Sequence, residues 1–413
     1  MTRPEFHFTA PSGWINDPHG ITYRDGRYHL FYQYVPESLV WAPNCHWGHA
    51  TGPDLFDWTV QPVALAPGDG DDGIWTGSLV TDDAGESTIF YTSVVQPGIG
   101  IGRVRRAHPA DPEWLTWAKE GVVATAPAEL DIIAYRDPFV FRDGEGWRMF
   151  VGAGLADGTA TALSYSSADL AEWSYDEIAV QRSTTETQPV WTGALWECPQ
   201  LFELDGRHVM VTSVWDDDVL HYVIYAVGDY VDGNFTPTSW GRLSYGPSYY
   251  APSFFRDADG KPSLTFWLRH VEDRDAGWAS AHSIPHTLSL VGETLVATPH
   301  AGLEKYRREV TTSRIAGLAA DCSWQPAPGG HFSVASGPTV LASLVFDGEG
   351  LRIQQGSESW PMPFSDGPVR IIVDGPTLEV STDGGVFAVP VAPAADSLEI
   401  AASEPVKIWQ LAR

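Results

Sequence analysis

The strongest constraint on the fold is a hairpin repeated five times at nearly equal steps. Each copy is an apolar run, an Asp-Gly type turn and a second apolar run: GITYRDGRYHLFYQ, GSLVTDDAGESTIFYTS, PFVFRDGEGWRMFVGA, PQLFELDGRHVMVTS and PSFFRDADGKPSLTFW. Such turns need positive φ, so Asp-Gly between alternating strands marks a hairpin. The turn aspartates are Asp25, Asp83, Asp143, Asp205 and Asp259, at spacings of 58, 60, 62 and 54 residues. An offset marker keeps the same beat: DLFDW, WLTW and DLAEW end at Trp58, Trp117 and Trp173, 59 and 56 residues apart. A period near 58 holding several short strands describes one blade of a propeller. Five such units fill residues 10 to 300, and no helical periodicity of comparable length competes with them. A sandwich with fortuitous hairpins would not keep five copies in phase.

After residue 305 the pattern changes. AGLEKYRREVTTSR reads as a charged connector able to form a short helix, and SWQPAPGG breaks the chain. Strand-like text then resumes, with Asp-Gly turns at Asp347, Asp374 and Asp383 that no longer keep the long step. A small antiparallel sandwich is the natural reading. The predicted architecture is all-β: a five-bladed β-propeller over 1–305, a linker over 306–325 and a β-sandwich over 326–413.

Charge narrows the partners. Lys+Arg is 25 and Asp+Glu is 53, a net charge of −28. That field repels nucleic-acid backbones and anionic membrane surfaces, and it disfavours a phosphorylated substrate. No apolar run is long enough to span a bilayer. The opening residues, MTRPEFHFTAPSGW, lack the apolar core of a signal peptide. Cys45, Cys198 and Cys322 form an odd, sparse set without a CxxC, which fits a reducing cytoplasm better than a disulfide framework or a zinc ribbon. The 18 Trp serve core packing and can also supply flat walls for an uncharged, partly apolar ligand such as a sugar.

Three acids precede the hairpin turns in a repeating position. Asp17 lies eight residues before Asp25, Asp137 six before Asp143, and Glu197 eight before Asp205. Asp17 to Asp137 is 120 residues and Asp137 to Glu197 is 60, so acids recur at two repeat lengths and then one. The same phase in each blade occupies the same depth, which predicts that all three point into one end of the central channel. Their settings, WINDPHG, YRDPFVF and LWECPQLF, are apolar, and an acid there is costly to desolvate without purpose. Clustered carboxylates push one another's pKa values apart, leaving one protonated and another ionised. That asymmetry suits glycoside cleavage. A divalent metal between three acids would want oxygen-rich loops, and these flanks are apolar or aromatic. No GxxxxGK[ST], HExxH or GxSxG sequence occurs.

These motifs resemble glycoside hydrolase family 32, the β-fructofuranosidases. WINDPHG, RDPF and WECPQLF carry the likeness, with FYQYVP, HWGHATGPDLFDW, WTGSL, SYYAPSFF, GWASAHSIPHTLSL and VRIIVDGPTLEV in support. The resemblance covers nearly the whole chain and itself implies a five-bladed propeller plus a sandwich. It implies Asp17 as nucleophile, Glu197 as acid/base and Asp137 as the group that stabilises the transition state through fructose hydroxyls. Asn16, Gln33, Trp41, Trp75, Ser78, Arg136 and Trp267 would bind the sugar: donors beside the acids, apolar walls and one hydroxyl. His46 and His49, in CHWGHA, are expected to be structural, and no metal or cofactor is implied. The resulting expectation is a cytoplasmic retaining fructosidase acting on sucrose or short fructooligosaccharides. Left open beside it are a fructosyltransferase, a non-catalytic sugar-binding propeller and an inverting glycosidase of the related five-bladed type. His19 replaces a more usual Asn, Ser248 stands where the family often carries Asp, Trp267 is followed by LRH, and the C-terminal domain is short for the family.

Overall fold

A computed structural model describes residues 3–413. Strands dominate, and the one helical element among the described residues is a 3-10 turn over Ala301–Tyr306. No helix there is long and apolar enough to cross a membrane.

Residues 13–299 form five antiparallel blades, each built outward from an innermost strand. Blade I is Gly13–Arg24, Arg27–Val35, His46–Gly52 and Thr59–Leu65. Blade II is Gly73–Thr81, Ser87–Val94, Arg103–Pro109 and Trp117–Thr125. Blade III is Ile132–Asp143, Gly146–Leu155, Thr159–Ser167 and Ser174–Ser183. Blade IV is Leu195–Leu204, Arg207–Asp216, Val219–Val231 and Asn234–Arg242. Blade V is Tyr249–Arg256, Pro262–Asp273, a third strand split into Trp278–His282 and His286–Val291, and Thr294–Pro299. The hairpin turns are where the sequence places them: Asp25 and Gly26 have φ of 51° and 80°, Asp205 and Gly206 51° and 77°. Trp278–His282 also pairs in parallel with the start of Gly13–Arg24. Blades I and V therefore share one sheet, and that pairing closes the ring.

The rest of the chain folds into two facing sheets. One runs Ser244–Tyr245, Gly385–Pro390, Thr377–Thr382, Val369–Asp374, Ala319–Trp324, Val406–Leu411 and Arg307–Glu309. The other runs Arg314–Ala316, Ser397–Ala402, His331–Ser336, Thr339–Phe346, Gly350–Gln355 and Glu358–Pro363. Trp324, Phe332, Ile353, Ile371, Phe387 and Leu398 fill the space between them.

The 306–325 stretch, expected as a linker, is therefore part of the sandwich. Ala319–Trp324 lies inside the larger sheet and Arg307–Glu309 forms its edge. The charges that made this segment look solvated are paired instead: Arg307 and Arg370 both bind the buried Asp321, at 2.8 and 2.7 Å. The propeller also lends a strand, since Ser244–Tyr245 pairs with Gly385–Pro390.

The N-terminal segment crosses to the sandwich. Asp374 accepts from the backbone N–H groups of Glu5, Phe6 and His7, at 2.8, 2.7 and 3.0 Å, and from His7 Nδ1 at 2.8 Å. His7 Nε2 lies 3.3 Å from Glu379, and all three side chains are buried.

Candidate active site

The innermost strand of every blade carries a bulge at the same height. Pairing breaks between Ile15 and Pro18, Trp75 and Gly77, Arg136 and Phe139, Glu197 and Gln200, and Tyr250 and Ser253. A bulge interrupts strict in–out alternation and re-aims a side chain, so two successive residues can face the same cavity. The bulged positions are Asp17, Thr76, Asp137, Cys198 and Ala251; four of the five precede a proline and Thr76 precedes Gly77. Asp137, Cys198 and Ala251 hold φ of 66°, 52° and 44°. Left-handed backbone at non-glycine residues persists only where surrounding contacts enforce it, and it clusters at functional sites.

These residues make two rings of contacts. In the bulged ring, Thr76 Oγ1 donates to Asp17 Oδ2 at 2.6 Å, and the Cys198 N–H donates to Asp137 Oδ2 at 3.0 Å. The Cys198 thiol sits 3.6 Å from both Asp17 Oδ2 and Asp137 Oδ2. The preceding residues are Asn16, Trp75, Arg136, Glu197 and Tyr250. Arg136 Nε and Nη2 both meet Glu197 Oε1, at 3.0 and 2.9 Å, while Tyr250 Oη donates to Glu197 Oε2 at 2.6 Å. The three acids read from the sequence thus converge. Glu197, however, precedes the bulged position of its blade, which Cys198 occupies.

The sugar-binding candidates fall at different depths. Asn16 Nδ2 donates to Asp17 Oδ1 at 3.1 Å, and Gln33 Nε2 to Asp17 Oδ2 at 3.2 Å while also meeting Thr76 Oγ1. Trp75 is anchored by Nε1 on the Pro43 carbonyl and meets Trp41 edge to face, with ring centroids 5.5 Å apart. Trp41 is 42% exposed, so one face of this aromatic pair is open to solvent. Trp267 meets Trp14 edge to face at 5.6 Å and packs with Cys198 and Tyr250. Ser78 lines one cavity with Asp137, Thr76, Cys198, His19 and Gln200, and its Oγ accepts from the Val140 N–H at 3.0 Å. His49 stacks flat on Phe31 and pairs with His29 at 3.1 Å in the blade core, and His46 sits at a strand start opposite Tyr34. Among the described residues, no group of three His, Cys, Asp or Glu has the arrangement of a metal site.

Burial and mutual repulsion set the electrostatics. Burial pushes the Asp17 carboxyl up to about 6, and the Glu197 charge adds to that, against hydrogen bonds from Thr76, Asn16 and Cys198. Asp137 is pushed up further, by burial and then by Glu197, against the pull of Arg136. Burial also raises the Cys198 pKa, with the acids adding to it, so the group stays a neutral thiol. Burial opposes the Arg136 charge, but Glu197 and Asp137 outweigh it and raise its pKa. The cavity therefore offers one carboxyl group held by neutral donors, one held by an arginine and a tyrosine, and one pushed up by burial and its neighbours' charges. Such inequality lets neighbouring carboxyl groups act as nucleophile, acid and hydroxyl partner.

Comparison with known proteins places this geometry. Residues 7–299 match the model of the glycosyl hydrolases family 32 N-terminal domain. The chain belongs to glycoside hydrolase family 32. It is 32% identical over 338 residues to a sucrose-6-phosphate hydrolase of Zymomonas mobilis, covering 76% of this chain and 65% of that protein. It is 30% identical over 324 residues to a raffinose invertase of Escherichia coli, covering 74% and 66%. The chain thus spans just under two thirds of the length of these curated relatives. Among solved structures, a family 32 beta-fructofuranosidase of Bombyx mori superposes with a TM-score of 0.86 at 23% identity, over 100% of this chain and 94% of that one. Fructan 1-exohydrolase IIa of Cichorium intybus does so at 0.82 and 20%, over 99% and 97%. At these identities the structural likeness is one of fold, and it is the five-bladed propeller with its sandwich.

Four residues at this family 32 site escape a reading of the sequence that starts from the acids: Trp14, Thr76, Cys198 and Tyr250. One signal does point to three of them. Aligning the innermost strands on the Pro or Gly after each bulge puts Thr76 and Cys198 in register with Asp17 and Asp137. Tyr250 then falls in register with Glu197.

Proposed function

We propose that the chain hydrolyses terminal non-reducing β-D-fructofuranosides, sucrose or short fructooligosaccharides, with retention through a covalent fructosyl-enzyme. The observation that carries this reading is the unequal clamping of three carboxylates in one buried cavity. Asp17, ionised and held by neutral donors, is the nucleophile toward C2 of the fructosyl unit. Glu197 gives its proton to the departing sugar oxygen, then takes one from the incoming water. Asp137 accepts hydrogen bonds from fructose hydroxyls as the ring approaches an oxocarbenium ion. Asn16, Gln33 and Arg136 add donors, and the two tryptophan pairs cover apolar ring faces. Ser78 lines the cavity beside Asp137 and keeps a hydroxyl hydrogen to donate to the sugar.

Incubation with sucrose, inulobiose and levanbiose tests the reading through release of free fructose; no release from any of them rejects it. Product analysis at high sucrose separates hydrolysis from fructosyl transfer, which would leave growing oligosaccharides and little free fructose. The three cysteines are all free and buried, which supports placing the protein in the cytoplasm.

The substrate we propose is unphosphorylated. The chain has four lysines. Lys119 is taken by Asp71, Lys261 by Asp259 and Lys305 by Asp54, and Lys407 lies on the sandwich. At the cavity, Arg136 is occupied by Glu197, and Arg269 by the carbonyls of Leu220 and His221. A phosphate would add charge to a strongly anionic protein, and the two arginines described at the cavity are already engaged. We expect kcat/KM for sucrose to exceed that for sucrose-6-phosphate by at least about tenfold, an energy of ~1.4 kcal/mol. Equal or better turnover of the phosphate would refute this.

The nucleophile must be ionised, so activity falls as pH drops through the Asp17 pKa of about 6. Thr76→Val removes a donor that favours the ionised form. The acid limb of the kcat/KM profile should then move up by about one pH unit. An unmoved limb would show that Thr76 does not tune Asp17.

A further inference from the structure

Glu197 has two oxygens with different partners, and that difference says where its proton sits. Oε1 receives both Nε and Nη2 of Arg136, which can only donate. Oε2 faces Tyr250 Oη at 2.6 Å. Tyr250 Oη has a second acceptor in reach, the Val214 carbonyl oxygen at 3.2 Å. The phenol carries one hydrogen for these two acceptors. Its ring is buried, with the Arg269 guanidinium centred 5.0 Å from it, and Arg269 is itself tied to the carbonyls of Leu220, His221 and Ser248. The other ionisable groups around this pair are Asp17, Asp137 and Cys198.

We infer that Tyr250 is a positioning residue whose hydroxyl re-aims with the protonation state of Glu197, and that the proton given to the leaving group resides on Oε2. With Glu197 ionised, Tyr250 donates to Oε2. With Glu197 protonated, the tyrosine hydrogen turns to the Val214 carbonyl and its oxygen accepts from Oε2–H. In the transfer step, the Oε2–H bond breaks, the leaving oxygen gains that proton, and the tyrosine hydrogen swings back to the new carboxylate. Tyr250 neither gains nor loses a proton. When water is deprotonated in the second half-reaction, the same movement runs in reverse.

This inference rests on the fructosidase reading but is tested apart from it. Tyr250→Phe removes a donor to the ionised form, so the alkaline limb of kcat/KM on sucrose should rise by about one pH unit. Replacing Tyr250 with 3,5-difluorotyrosine keeps the packing and makes a stronger donor, so the limb should fall by about half a unit. Shifts in opposite directions support the inference. Unmoved limbs, or two shifts of the same sign, overturn it. The titration of Glu197 can also be followed by NMR of [13Cδ]glutamate-labelled protein, with its signal assigned by loss in Glu197→Gln. That readout needs no turnover and should show the same order of pKa values. A wild type inactive on every fructoside would reject the proposed function, while the NMR order would still decide the role of Tyr250.

Discussion

Asp17→Asn should lower fructose release on the order of 10⁴-fold or more while leaving the fold intact, the scale seen when a nucleophile that works as part of a unit is removed. The substitution keeps side-chain size, and its carbonyl can still accept from Thr76 Oγ1 and Gln33 Nε2, which now bond Asp17 Oδ2. What it removes is the negative charge of the proposed nucleophile. Initial rates on sucrose, with circular dichroism as the check on folding, measure the effect. Azide separates the roles of the two acids. In Asp17→Ala it takes the nucleophile's place and should give the α-fructosyl azide. In Glu197→Ala the covalent intermediate still forms, so azide in place of water should give the β-anomer. Near-wild-type turnover by Asp17→Asn would remove Asp17 from the mechanism.

The second large effect lies far from the cavity. Asp374→Ala should destabilise the protein by about 3–5 kcal/mol, as expected when a buried charge loses its partner. The change strips three backbone N–H groups and the His7 ring of their common acceptor. The same cluster predicts a pH dependence. Burial alone would lower the His7 pKa, but Glu379 and Asp374 outweigh it and push the group up to about 9. Its contribution to stability is therefore complete below the ordinary histidine pKa near 6.5 and lost as pH rises through about 9. Asp374 moves the other way: burial is outweighed by His7 and the backbone donors, and its pKa falls below 3.8. Its contribution holds above that value and disappears as pH falls through the depressed pKa. Denaturation midpoints between pH 5 and 10 should decline on the alkaline side, and His7→Ala should flatten that decline. An Asp374→Ala midpoint equal to wild type would show that the clasp carries no stability.

The blades were legible because their signal is local. Asp25-Gly26 and Asp205-Gly206 need only their own backbone geometry to form a turn, and both show the positive φ their sequence demands. The position of the site was less legible because a bulge alters the count along a strand. From bulged residue to turn aspartate the distances are eight, seven, six, seven and eight residues for Asp17, Thr76, Asp137, Cys198 and Ala251. Glu197 is also eight residues from its turn, so counting aligns it with Asp17, whereas the structure puts Cys198 there. The bond from the Val140 N–H to Ser78 was hidden for a related reason, since that N–H comes from the next blade, 62 residues on. The start of the sandwich was hidden for a similar reason. Arg307 reads as a solvated charge until Asp321 and Arg370 are brought beside it by pairing across the sheet. Tyr250 reads as an ordinary strand tyrosine, since its partner Glu197 is 53 residues away.

The parallel pairing of Gly13–Arg24 with Trp278–His282 has a consequence for biosynthesis. Asp17 leaves the ribosome some 260 residues before the strand that seals its blade, and further still before the Asp374 clasp. A nascent chain can complete blades II to IV one after another while its reactive carboxylate waits in an unsealed sheet. The proposed nucleophile is thus made well before the strand that secures it, so a translation product halted before residue 278 should be hydrolytically silent.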